Sequence, residues 1–392
     1  MGRRVFIVAA QRTPIGSFGG ALSTVSATQL GASAVTAALQ QGGVDAQEVD
    51  ELFMGCVLQA GLGQAPARQV CKYAGMPDQV PATTINKVCA SGMKAVSFGV
   101  QSILLGDADI VVAGGMESMS QVPYYVPSAR WGAKYGAQAL LDGLQRDGLS
   151  DAYNQQAMGV FGELCAETFG IGRDAQDAYA KLSYERARQA WAKGKFDKEV
   201  YPVRIDTRKG EHIVQQDEEC VHVQFDKMTS LKPVFKPEGT ITAANASTLS
   251  DGAACLVLVS EEKMNVLGLK PIAEIVAYAD AEQAPEWFTT TPARATEKVL
   301  AKAGLSVADI DFFEINEAFA VVALANAQTL QIAEDRLNVY GGAVSLGHPL
   351  GCSGARIITT LTSVLQQENG HYGLAAICNG GGGASAMILR RM

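Results

Sequence analysis

The sequence predicts an α/β protein made of two similar halves, with a long segment inserted into the first. Two observations lead to this prediction. One is a faint internal repeat at a nearly constant offset, and the other is a stretch, residues 119–249, without a counterpart in the second half. Each repeated segment alternates a strand-like run with a helix-like run, which predicts α/β layers around mostly parallel sheets.

The repeat can be followed along the chain. The paired segments are "VFIVAA" (5–10) with "AEIVAY" (273–278), "GGVDAQEVDELFMG" (42–55) with "AGLSVADIDFFEIN" (303–316), and "CASGMKAVSFGVQSILLGDADIVVAGG" (89–115) with "GCSGARIITTLTSVLQQENGHYGLAAICNGG" (351–381). The last pair predicts a helix with a small-residue start, then a buried strand that ends in glycines. Chance similarity between alanine- and glycine-rich segments is the alternative, and the common order disfavours it.

Domain boundaries follow from this pattern. The first half spans residues 1–118 and is completed by 250–270, and the second half spans 271–392. The inserted segment, 119–249, is polar and charged, and insertions on α/β scaffolds often build ligand sites.

Composition excludes several classes of protein. A net charge of −8 disfavours nucleic-acid binding. Eight cysteines at irregular spacings, without a C-x-x-C pair, predict reduced thiols rather than a disulfide framework or a zinc site. The chain has no apolar run of about 18 uncharged residues, so we expect no membrane-spanning helix. A strand-like run at the N-terminus leaves no room for a targeting segment, so we expect the cytoplasm or the mitochondrial matrix.

Three side chains stand out as candidates for chemistry. Cys89 begins a predicted helix, where the dipole and free N–H groups would lower its pKa; a buried, unreactive thiol is the alternative. His348 lies in a glycine- and proline-rich loop before the matching helix and could act as a base for a cysteine. Cys378 precedes four glycines, whose N–H groups could approach an oxyanion closely. A pseudo-twofold arrangement of the halves would make the three neighbours.

Asn316 adds a polar group at a strand-to-helix junction, in "EINEAFA". Its ordinary interpretation is a helix cap. The functional interpretation is a group that orients water or an oxyanion.

Several long motifs together resemble the thiolase family, over essentially the whole chain. They are "QRTPIGSFGG", "VLQAGLGQAPARQ", "NKVCASGMKA", "VVAGGMESMS", "TAANASTLSDGAA", "NEAFA", "GGAVSLGHPLGCSGAR" and "CNGGGGASAM". Within that family the chain is most similar to the acetyl-CoA acetyltransferases of mitochondrial type. The resemblance implies two βαβαβ halves in an α/β/α/β/α arrangement, an inserted loop domain, and a homotetramer.

The resemblance also implies a role for each candidate. Cys89 matches the nucleophile that carries the acyl group, and His348 matches the base that activates it. Cys378 matches the acid/base for the α-proton of a second acetyl-CoA. Asn316 matches a residue that holds an oxyanion-hole water, and Gly380 offers its N–H beside Cys378. The implied reaction is the reversible joining of two acetyl-CoA molecules into acetoacetyl-CoA and coenzyme A, without flavin or nicotinamide.

Ligand residues follow from the same resemblance. Those that match the coenzyme A site are Tyr184, His222, Val223, Gln224, Lys227 and Ser247. Those that match a potassium site are Tyr184 and the backbone oxygens of Ala243, Ala244, Ala246 and Val344.

Two departures from the family pattern bear on substrate range. Ala157 stands where the family has an active-site histidine. Thr289 follows Phe288 where the similar enzymes have Phe-Pro, in a loop associated with 2-methyl-branched substrates. The alternatives to acetoacetyl-CoA turnover are a broader 3-ketoacyl-CoA thiolase and an inactive acyl-CoA-binding protein.

Overall fold

The computed structural model describes residues 2–208 and 210–392. The strands are β1 (Val5–Arg12), β2 (Gly16–Ser17), β3 (Glu51–Gly55), β4 (Ala82–Ile85), β5 (Ile110–Ser118), β6 (Tyr124–Tyr125), β7 (Leu141–Asp142), β8 (Val203–Thr207), β9 (Gly210–Val214), β10 (Ser250–Ser260), β11 (Ala273–Glu282), β12 (Phe312–Ile315), β13 (Tyr372–Asn379) and β14 (Gly383–Arg391). The helices are α1 (Ala27–Gly42), α2 (Pro66–Tyr73), α3 (Ser91–Leu105), α4 (Met158–Phe169), α5 (Arg173–Ala192), α6 (Glu219–His222), α7 (Phe225–Met228), α8 (Glu261–Leu267), α9 (Thr291–Ala303), α10 (Ala320–Leu330), α11 (Ala343–Leu346) and α12 (Leu350–Gln367).

Local signals in the sequence set several of these boundaries. Helix α1 begins at a capping box, in which Ser26 and Gln29 bond reciprocally to each other's backbone N–H. It ends at Gly43, which has the left-handed conformation usual at a helix C-terminus. Strand β10 is buried along its whole length, because both faces of the sheet are covered by helices.

Two half-sheets join edge to edge in the main sheet. The strand order is β12-β13-β14-β11-β1-β10-β5-β3-β4, and the short β2 pairs with β10. On one side of the junction lie five strands of the N-terminal half, β1, β10, β5, β3 and β4. On the other side lie the four strands of the second half, β11, β14, β13 and β12. The junction is a short antiparallel contact, Phe6 with Glu274 and Ile7 with Ala273. The predicted two similar halves are therefore present.

Helices and sheets alternate in five layers. Helices α3 and α12 lie at the centre, where they pack on each other and on strands of both half-sheets. Helices α1 and α2 cover the outer face of the first half-sheet, and α9 and α10 cover that of the second. This arrangement confirms the predicted α/β/α/β/α fold.

The expectation of mostly parallel sheets was wrong. Strand β3 is parallel to β4 and β5, and β12 is parallel to β13, but every other pairing in the main sheet is antiparallel. The reason is that the chain returns antiparallel: β10 runs back beside β5, and β14 runs back beside β13. Such returns need no crossover helix, so the strand–helix alternation in sequence did not indicate them.

The glycine run forms the turn of one of these returns. Gly380–Gly382 join β13 to β14, and Gly382 has φ of +92°. A Cβ at Gly382 would lie 2.1 Å from the carbonyl oxygen of Gln283. In the first half the equivalent connection, from β5 to β10, is the inserted segment 119–249. It carries α4–α7 and two small sheets, β6 with β7 and β8 with β9.

The two central helices touch backbone to backbone near their starts. A Cβ at Gly92 would lie 2.8 Å from the amide nitrogen of Ala355 and 2.9 Å from the carbonyl oxygen of Gly351. A Cβ at Gly354 would lie 2.4 Å from the amide nitrogen of Met93. Only glycine permits this spacing, because backbone atoms cannot move aside as flexible side chains do.

One stretch within the described residues, Val88–Leu105, passes the length and composition test for a membrane-crossing helix. It contains α3, which packs between the two half-sheets. Core helices of globular proteins pass the same test.

We expect Gly92→Ala to lower the free energy of unfolding by about 1–3 kcal/mol, because the added methyl group forces α3 and α12 apart. Urea denaturation measures this change. Gly172→Ala is the matched control, since Gly172 is exposed with nothing within 4 Å of an added Cβ. Equal stability losses in the two variants would contradict the close packing of the helices.

Candidate active site

Cys89 lies on a tight loop between β4 and α3. Helix α3 begins at Ser91, so the thiol precedes the first helical residue by two positions. The preceding residue, Val88, has φ of +46°, a conformation that β-branched residues rarely adopt. Strain of this kind is often found where the fold must aim a neighbouring side chain.

The predicted lowering of the Cys89 pKa was wrong. Burial raises the pKa of the Cys89 thiol to about 12, although the N–H groups of Gly380 and of Cys89 itself act to lower it. Desolvation by the surrounding protein therefore outweighs the helix N-terminus. Both N–H groups nevertheless interact with the Cys89 sulfur.

Cys378 is the second thiol of the site. It lies one residue before the end of β13 and is fully buried. Burial, followed by the nearby charge of Cys89, raises the pKa of Cys378 well above its ordinary value. The two thiols are therefore neighbours, as the sequence predicted, and both are neutral in the resting protein.

His348 has one defined tautomer. Its Nδ1 lies 2.6 Å from Ser353 Oγ, and that hydroxyl donates its only proton to the carbonyl oxygen of Pro349 at 2.8 Å. Ser353 must therefore accept from Nδ1–H, which leaves a lone pair on Nε2. Nε2 is buried and has no hydrogen-bond partner among residues 2–208 and 210–392. Burial and then the charge of Arg356 lower the pKa of His348 to about 3.

Asn316 is not a helix cap. Helix α10 begins four residues later, after Phe319, and the Asn316 amide oxygen accepts instead from Arg356 Nη2 at 3.5 Å. This contact turns the NH₂ group away from the guanidinium. Asn316 Nδ2 is buried and unpaired within the described part of the chain, so it is a free donor.

The loops of Cys89 and His348 are brought close by the contact between the starts of α3 and α12. The Cys89 loop precedes α3, and the His348 loop precedes α12, whose backbones touch. The Glu117 carboxylate fastens the same region: it accepts from the amides of Val57, Leu58 and Gly351 at 2.9–3.1 Å. Burial raises the pKa of Glu117 to about 7 against these donors.

Most residues matched to coenzyme A surround one surface cavity of about 270 Å³. The predicted ligand residues in its wall are Tyr184, His222, Val223, Gln224, Lys227, Ala243 and Ala244. Val344 is buried in the same cluster as Tyr184 and Ala244.

Ser247 and Ala246 line a different, mostly apolar cavity of similar volume, about 270 Å³. His348 lies in its wall, together with Ala157, Met158 and Phe235. This second cavity therefore leads to the candidate base.

Two thiolase family models match the chain in sequence. The model for the thiolase N-terminal domain matches residues 5–262, and that for the C-terminal domain matches residues 269–391. The chain belongs to the thiolase family.

Similar proteins extend over the full length of this thiolase. A probable acetyl-CoA acetyltransferase of Dictyostelium discoideum is 55% identical over 389 residues, which are 99% of this chain and 94% of the relative. Acetyl-CoA acetyltransferase IB of Candida tropicalis is 54% identical over 392 residues, 99% of this chain and 97% of the relative. The crystal structure of Acat5 thiolase from Ascaris suum in complex with coenzyme A superposes with a TM-score of 0.95 at 44% identity, covering 99% of this chain and 100% of that one.

Ala157 and Phe288 both border the reactive groups of this thiolase. Ala157 precedes α4 and lines the same cavity as His348, and its small side chain leaves space beside the imidazole. Phe288 packs in the hydrophobic cluster that contains Cys378. Thr289 is fully buried beside it.

Sequence reasoning missed Ser353, Arg356, Glu117 and Lys87. Ser353 lies five residues after His348, so the register of the helix start could have indicated it. The partners of the other three are distant in sequence, and no local pattern marks them.

We expect Ser353→Ala to lower kcat about tenfold to a hundredfold, because His348 loses the partner that fixes its tautomer. Steady-state kinetics with acetoacetyl-CoA measures the change. Ser97→Ala is the control: Ser97 is also buried, but its hydroxyl only donates to Met93 within α3. Unchanged kcat in the Ser353 variant would contradict the assigned tautomer.

The low pKa of His348 makes stability depend on pH. Below about pH 6.5 the unfolded chain takes up a proton that the folded protein refuses until about pH 3, so stability falls with falling pH. His348→Asn lacks this loss. Between pH 7 and pH 5 we expect the variant to gain about 2 kcal/mol of unfolding free energy relative to the natural chain, measured in urea. A difference that is the same at both pH values would contradict the burial of a neutral imidazole.

Proposed function

We propose that this thiolase is an acetyl-CoA C-acetyltransferase that reversibly joins two acetyl-CoA molecules into acetoacetyl-CoA and coenzyme A. One observation carries the proposal. Two neutral thiols are neighbours, with the Gly380 N–H beside the Cys89 sulfur, in a chain 54–55% identical to acetyl-CoA acetyltransferases over 99% of its length.

The first half-reaction forms a thioester on Cys89. His348 Nε2 takes the thiol proton as the sulfur attacks the carbonyl of acetyl-CoA, and the proton then passes to the departing coenzyme A thiolate. A thiol whose pKa is near 12 needs such a base. The N–H groups of Cys89 and Gly380 stabilise the oxyanion that forms on the acyl group.

The second half-reaction forms the carbon–carbon bond. Cys378 gives its thiol proton to His348 Nε2, and the resulting thiolate removes an α-proton from a second acetyl-CoA. The carbanion attacks the acetyl carbonyl and releases the Cys89 thiolate, which takes the proton from His348. The burial that raises the Cys378 pKa makes its thiolate a stronger base for this weakly acidic proton. Asn316 Nδ2 and His348 Nε2, both unpaired in the resting protein, face the enolate oxygen. Asn316 donates to it directly or through a water, and His348 Nε2 donates while it holds the proton taken from Cys378.

Coenzyme A is the substrate carrier that the two cavities suit. His222, Val223, Gln224 and Lys227 would take the nucleotide end, and Ser247 would contact the arm that leads toward His348. Lys227 offers a positive charge for phosphate in an otherwise acidic protein. In this proposal segment 119–249 is the ligand-binding domain, between halves formed by 1–118 with 250–270 and by 271–392.

Potassium is proposed at Tyr184 and the carbonyl oxygens of Ala243, Ala244, Ala246 and Val344. The surroundings fit a cation, because burial and then the carboxylates of Glu219 and Glu317 raise the pKa of Tyr184. Carbonyl oxygens suit a weakly hydrated monovalent ion. The bound ion would neutralise this electronegative corner beside the coenzyme A cavity.

The homotetramer and the compartment are further proposals. Large side chains on the inserted segment are exposed, Trp131 at 80% and Tyr135 at 98%, as expected of surfaces that pack in an assembly. The cytoplasm or the mitochondrial matrix is the proposed compartment. A Gibberella zeae relative that is 51% identical is named a cytosolic acetyl-CoA acetyltransferase.

The test is the coenzyme A-dependent loss of acetoacetyl-CoA, in potassium and in sodium buffer of equal ionic strength. We expect turnover that rises with potassium, and Cys89→Ser to lower kcat at least about a thousandfold while coenzyme A still binds. Equal turnover in both salts would remove the ion from the proposal.

The same assay separates the alternatives. Faster turnover of 3-ketoacyl-CoA substrates with longer chains would favour the broader thiolase. No turnover with any substrate, together with intact coenzyme A binding, would favour the inactive binding protein.

A further inference from the structure

The loop that carries Cys89 is strained, so something must hold it. Val88 has φ of +46° immediately before the nucleophile. Three local hydrogen bonds fix its shape: Val88 N–H donates to Asn86 Oδ1 at 3.0 Å, Lys87 N–H to Ser91 Oγ at 2.8 Å, and Ser91 Oγ–H to the Val88 carbonyl at 2.6 Å. These bonds are all within the loop, and none of them fixes where the loop lies against the second half.

The Lys87 side chain connects the loop to the second half. This side chain is 18% exposed, and its ammonium lies among five oxygen acceptors of the second half, each at 3.3 Å. The acceptors are Asp280 Oδ1, Glu282 Oε1, Asn379 Oδ1, the Ala384 carbonyl and Ser385 Oγ. They belong to β11 and to both strands of the hairpin whose turn contains Gly380.

The acceptors place this contact beside the reacting groups. Asn379 directly follows Cys378, and its own amide donates to the Gly380 carbonyl at 2.8 Å. Lys87 is two residues from Cys89. One ammonium thus joins the loop of the nucleophile to the hairpin that carries both the acid/base thiol and the oxyanion-hole amide.

A second lysine gives the comparison. Lys94 Nζ donates to the other oxygen of Asp280 at 2.7 Å, and its side chain is 20% exposed. It stands a turn inside α3, however, and none of its hydrogen bonds reaches the hairpin in the described part of the chain. Lys94 fastens the helix to β11, whereas Lys87 fastens the loop to the hairpin.

We propose that Lys87 is a positioning residue that keeps Cys89 in register with Cys378 and Gly380; this rests on the proposed function. Both half-reactions need the acyl group on Cys89 to lie against the Gly380 N–H and within reach of Cys378. A misplacement of about 1 Å in such a constellation can cost on the order of a hundredfold in rate. The coenzyme A cavities lie elsewhere, so substrate binding does not depend on this contact.

The experiment compares Lys87→Met with Lys94→Met. Methionine retains most of the lysine stem and removes the ammonium. We expect Lys87→Met to lower kcat for acetoacetyl-CoA thiolysis at least about tenfold with KM changed less than about twofold. We expect Lys94→Met to leave kcat within about twofold, with a comparable fall in melting temperature. Lys87→Gln, which keeps two N–H donors for these acceptors but is one atom shorter, supplies the second variant and is expected to lose kcat in the same way.

Several outcomes would overturn the proposal. They are kcat within about twofold of the natural chain in both Lys87 variants, an equal loss of kcat in Lys94→Met, or a rise in KM without a fall in kcat. An inactive natural chain would instead overturn the proposed function, so the two failures are distinguishable.

Discussion

The active site depends on the contact between the starts of α3 and α12. Gly92 and Gly354 let the two backbones meet, and Gly115 on β5 lies so close that a Cβ there would come within 1.9 Å of the Gly351 carbonyl oxygen. In the proposed reaction, the loop before α3 carries the nucleophile and the loop before α12 carries the base. The spacing between nucleophile and base is therefore set by backbone packing, which is stiffer than any side-chain contact.

Burial gives this site its electrical character. The thiols and the imidazole are neutral at rest, because each would lose more in desolvation than its neighbours return when it ionises. The same low polarity strengthens the hydrogen bonds that the inward-pointing N–H groups donate. In the proposed reaction, charge therefore develops only while a substrate is being converted. It develops next to hydrogen-bond donors that are already in place. A site of this kind resists stray ionisation and side reactions with water.

The sequence was informative where its signals are local and uninformative where they are not. The repeat, the glycine turns and the helix starts indicated the two halves, and the resemblance to thiolases supplied the candidate side chains. Strand direction in β10 and β14 was missed because an antiparallel return leaves no mark on periodicity. The Cys89 pKa was predicted in the wrong direction because burial comes from atoms far along the chain. Arg356 and Glu117 were missed for the same reason: their partners are brought close only by the fold.

The two halves connect an equivalent pair of antiparallel strands in different ways, β13 to β14 by a tight turn and β5 to β10 by a long segment. This difference determines where the protein can change. In the second half three glycines close the turn, which has no room for a longer connection because a Cβ at Gly382 would already lie 2.1 Å from a carbonyl oxygen. In the first half a long segment leaves and returns at the same place, and the entropic cost of closing a loop grows only slowly with its length. That segment supplies cavity walls such as His222 and Phe235 without setting strand register. Selection can therefore reshape what is recognised through one copy of a duplicated element, while the other copy preserves the bond-making chemistry unaltered.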